Sequence, residues 1–131
     1  MTTLLTLTEE QYLFMKEYSD LLYTIDEAFD YIVKSFSDLS KTEGDRLLGD
    51  VFQAFPQVAS AHEQLSHLAQ GNQTMLKAIA DISAVADQAE LLIQNFDDLP
   101  VRQEIISKKL YPAFAQWHKN IQQELNPYIQ S

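Results

Sequence analysis

The sequence predicts an all-α fold, an up-down-up-down antiparallel four-helix bundle with long helices at 9–39, 45–69, 73–96 and 100–126. Three observations carry this. Apolar residues recur at alternating spacings of three and four, a period that strands cannot produce. Breakers are scarce, with three glycines and four prolines in 131 residues. The few interruptions contain capping residues and divide the chain into segments of similar length.

The first helix opens with Thr8 as N-cap, Gln11 three residues on, and Leu7 placed to pack on Tyr12. Met15, Tyr18, Leu22, Ile25, Phe29, Ile32, Phe36 and Leu39 form one seam, widened by Phe14, Leu21 and Ala28. Ser40 to Gly44 breaks it. The second helix carries Leu48, Val51, Phe55, Val58, His62, Leu65 and Ala69. Pro56 falls inside that seam and predicts a kink near Gln53, because proline cannot donate to the carbonyl four residues back.

Gly71 and Asn72 end the second helix and cap the third. Met75, Ile79, Ile82, Ala86, Ala89, Ile93 and Phe96 then give a heptad, coiled-coil-like seam. The fourth helix starts at Leu99-Pro100, is seamed by Ile106, Leu110, Phe114, Trp117, Ile121 and Leu125, carries a further kink candidate at Pro112, and ends near Asn126-Pro127. Connections this short cannot recross a long helix, so consecutive helices are expected to run antiparallel.

One domain over residues 1–131 follows from the length and from 46% apolar content. The absence of cysteine removes disulfides, thiolate metal sites and cysteine nucleophiles. The N-terminus lacks a basic region followed by a long apolar run, and no stretch approaches the ~18 apolar residues of a membrane span, so a cytoplasmic location without membrane insertion is expected. A formal net charge of −10 disfavours nucleic acid and anionic lipid. The fourth segment, with Arg102, Lys108, Lys109 and Lys119 against Glu104 and Glu124, is the net basic one, suited to lie beside acidic neighbours.

Site chemistry is sparse. There is no Gly-x-Ser-x-Gly, no phosphate-binding glycine loop, no His-Glu-x-x-His and no Glu-x-x-His of the di-iron bundles, so no enzyme activity and no cofactor are expected. His62 stands on the core-facing seam, where it reads as a hydrogen-bonded core histidine or, as the alternative, the centre of a small-molecule or metal pocket. His118 reads as off the seam. Tyr12, Tyr23 and Tyr31 also fall off it, with Tyr23, Glu27 and Tyr31 at four-residue intervals. They read as rings lying against neighbouring helices or as a face for a protein partner or a second copy. The leading expectation is a non-enzymatic protein-interaction module, of the adaptor, assembly-factor or export-chaperone-like kind.

Overall fold

A computed structural model describes residues 7–129. The protein is all-α: α1 is Glu9–Ser35, α2 is Gly44–Leu68, α3 is Gln73–Ala80, α4 is Ser83–Gln94 and α5 is Leu99–Ile105, followed by a π-helical turn, Ile106–Leu110, and by α6, Tyr111–Ile129. No strand occurs among the described residues. These pieces fall into four helical segments, with α3 and α4 forming the third and α5 to α6 the fourth.

The opening cap forms as its residues dictate. Thr8 Oγ1 accepts from the Gln11 amide, and Gln11 Oε1 accepts from the Thr8 amide. Six members of the first seam, from Met15 to Ile32, are buried. The helix ends at Ser35 rather than at residue 39, and Leu39 is 98% exposed. Cap-type chemistry ends it early, since Asp38 takes hydrogen bonds from both the amide and the hydroxyl of Ser40. α2 continues unbroken through Pro56.

Cross-helix partners establish direction. Tyr18 meets His62 while Tyr31 meets the Glu43 amide, so α1 and α2 are antiparallel. Ser19 meets Gln122, Tyr23 meets His118 and Phe29 meets Tyr111 and Phe114, so α6 also runs against α1. Asn72 meets Tyr128 and Ala78 meets Trp117, which makes α3 antiparallel to α6. α4 packs on the fourth segment. Arg102 of that segment lies 3.7 Å from Asp45 of α2.

Two predicted helices are interrupted. The third breaks at Asp81-Ile82, where the chain tightens: the Ile82 amide donates to Ile79 and the Ala84 amide to Asp81, each three residues back. The tightening turns the Ile82 amide away from the Ala78 carbonyl, which instead accepts from Trp117 Nε1 at 2.8 Å. The fourth helix meets Pro112 with a π turn rather than a simple kink. The Tyr111 amide reaches back to Ile106, and the wider turn accommodates the amide that Pro112 lacks. α6 then runs past Asn126-Pro127 to Ile129.

Glycine chemistry makes a paired prediction. Gly71 adopts φ +89, a left-handed conformation, and Gly71→Ala is expected to cost about 1 kcal/mol. Gly49 lies inside α2 with open space where a Cβ would stand, so Gly49→Ala is expected to add about 0.5–1 kcal/mol. Urea midpoints of the two variants should move in opposite directions.

Candidate functional site

Between α2 and α4 lies an apolar groove of about 490 Å³. Phe52, Phe55, Pro56 and Ala59 form one wall, and Ile82, Ala86, Ala89 and Ile93 form the other. His62 and Glu90 are the polar side chains lining it.

The second wall is the predicted core seam of the third helix. After the break at Asp81-Ile82 the buried positions become Val85 and Leu92, which shifts the inward face by one residue. Tighter turns rotate each residue further about the axis than α-helical turns do, so a short tightened stretch is enough to move a face out of phase. Ile82, Ala86, Ala89 and Ile93 therefore look into the groove, and Ile93 is 62% exposed. The composition is that of a core, but no helix of this chain covers it among the described residues.

His62 is half-buried rather than sealed in the core. Its Nε2 lies 2.6 Å from the Tyr18 hydroxyl, and its ring stands edge-on to both Tyr18 and Trp117. Burial raises the Tyr18 pKa, so the phenol keeps its proton. His62 is the hydrogen-bond partner of that hydroxyl among the described residues, so we assign the phenol as donor and Nε2 as acceptor. The imidazole then carries its own hydrogen on Nδ1. That nitrogen has no partner among the described residues and is not enclosed.

Burial also pushes the His62 pKa down, from 6.5 to about 4. The unfolded chain takes up a proton that the folded protein resists, so this contribution to stability is full above pH 6.5 and is lost as the pH falls towards 4. With partial exposure screening the effect, the wild type should lose about 1–2 kcal/mol more than His62→Phe between pH 7 and pH 4.5. Urea titrations of both proteins at the two pH values measure the difference; equal losses would refute it.

The off-seam tyrosines have separate structural neighbours. Tyr12 packs half-buried on the core edge. Tyr23, 48% exposed, meets the His118 ring edge-on at 4.7 Å. Tyr31 accepts the Glu43 amide at 3.3 Å and lies beneath Lys41, while Glu27 is exposed. His118, read from the sequence as off the seam, is 6% exposed, packs against Phe114 and leaves Nε2 without a partner among the described residues. The wide α1–α6 contact covers an azimuth that seam counting assigned to solvent. No group of three or more His, Cys, Asp or Glu side chains able to hold a metal occurs among the described residues.

Fold and site together define an all-α helical protein with one core-like face left open as a groove. The chain belongs to the family described as a domain of unknown function, DUF8042, whose model matches residues 13–120, a span containing both groove walls. It is 31% identical over 122 residues to the Bacillus subtilis (strain 168) protein called "Uncharacterized protein YvzG", covering 92% of this chain and 95% of that one. No solved structure matches the chain. No helix among the described residues is long and apolar enough to cross a membrane.

Proposed function

We propose that the protein is a non-enzymatic interaction module that receives an amphipathic helix from a partner protein in the groove between α2 and α4. The observation that carries this reading is the groove-lining seam of Ile82, Ala86, Ala89 and Ile93, with Ala86 and Ile93 exposed and Ile82 and Ala89 half-buried, which has the heptad spacing of a helix-packing face. Ala59, Ala86 and Ala89 are small enough for a helix backbone to approach closely. The stretch from Phe52 to His62 extends for about 15 Å at 1.5 Å per residue, long enough for almost three turns of an incoming helix.

Charge identifies the flanks of that helix. Glu90 is the charged side chain of the lining, which holds no lysine or arginine. A carboxylate beside an apolar floor favours a helix with an apolar stripe and lysine or arginine beside it. It disfavours a fatty-acid carboxylate, which would find no cation in the lining.

The test uses an 18-residue peptide of leucine and lysine with its leucines on one helical face, against a scrambled peptide of the same composition. The aligned peptide is expected to bind with a Kd on the order of 10 µM, perturbing amide resonances of α2 and α4, and the scrambled one at least about tenfold more weakly. Equal affinities, or perturbations confined to other helices, would reject the reading. Binding of a neutral long-chain alcohol in the groove without peptide binding would favour a small apolar ligand instead.

A further inference from the structure

We infer that His62, held by Tyr18, selects an incoming helix bearing one uncharged hydrogen-bond acceptor, such as a glutamine or asparagine amide, within its apolar stripe. This rests on the helix-binding reading above and adds the chemistry of the partner. The groove lining is apolar apart from His62 and Glu90. The Tyr18 phenol occupies Nε2 at 2.6 Å, which leaves the Nδ1 hydrogen as the donor His62 can offer to an occupant.

A helix with leucine at every stripe position would cover that N–H and leave it unpaired, losing its bond to water without replacement. A carbonyl-bearing side chain at the facing position would pair it. A carboxylate would also accept, but it would be taken out of water into a lining that holds no cation to pair with it. The neutral acceptor is therefore the favoured complement. Tyr18 acts as a positioning residue: it fixes the tautomer and does not line the groove.

The test is a set of leucine-lysine helical peptides, each with glutamine replacing leucine at one stripe position, titrated against wild type, His62→Phe and His62→Leu. For one position, the glutamine-to-leucine affinity ratio should be about tenfold more favourable in wild type than in either variant. If the peptides bind but no position shows coupling, the selection inference fails and the helix-binding reading stands. If no peptide binds wild type, both fail. Independently of any peptide, imidazole ¹⁵N spectra of the wild type should show the hydrogen of His62 on Nδ1, and Tyr18→Phe should abolish that preference. A hydrogen on Nε2 in the wild type overturns the inference, including where the His62 variants do not fold.

Discussion

Trp117→Ala is expected to be among the most destabilising single changes in this protein, lowering unfolding free energy by about 3–5 kcal/mol. Trp117 is buried, packs between His62 and Phe114, and donates to the Ala78 carbonyl at 2.8 Å. Truncation opens a cavity where α1, α2, α3 and α6 meet and strands a carbonyl that the tightened turn has already released from its helix. Thermal melts should fall by roughly 10–18 °C. Trp117→Phe keeps most of the volume and should lose about 1–2 kcal/mol, chiefly the hydrogen bond. A Trp117→Ala protein melting within 3 °C or so of wild type would contradict this account of how the third and fourth segments are joined.

The largest expected effect on binding comes from Ala59→Glu combined with Ala86→Glu, one on each groove wall. Both alanines are exposed, so stability should change by no more than about 0.5 kcal/mol per site. An incoming helix would have to bury or displace two carboxylates, weakening the aligned peptide about 50-fold, or roughly 2.3 kcal/mol. Glutamate attracts the lysines of that peptide, so lost affinity would report apolar burial rather than charge repulsion. Fluorescence anisotropy with labelled peptide measures it. Unchanged affinity would remove the groove as the binding surface.

The elements most legible in the sequence were those fixed by neighbours a few residues away. The Thr8–Gln11 box, the seam from Met15 to Ile32 and the Gly71-Asn72 turn all form as their residues indicate. His62 was legible as a hydrogen-bonded histidine, but its partner Tyr18 is 44 residues away, and no local spacing connects them. The groove was hidden for the same reason. Ile82, Ala86, Ala89 and Ile93 are apolar at core spacing, and composition cannot distinguish a face covered by the same chain from one left open.

By itself the sequence determined the all-α class, the four helical segments and the caps at Thr8 and Asn72, because helix period and capping depend on contacts within a few residues. The tertiary structure alone decided which side of the third segment faces inward. Trp117 takes the Ala78 carbonyl, the chain tightens at Asp81-Ile82, and the seam beyond it rotates away from the core. The hydrogen bond that takes up the released carbonyl joins residues 39 positions apart, which no periodicity encodes.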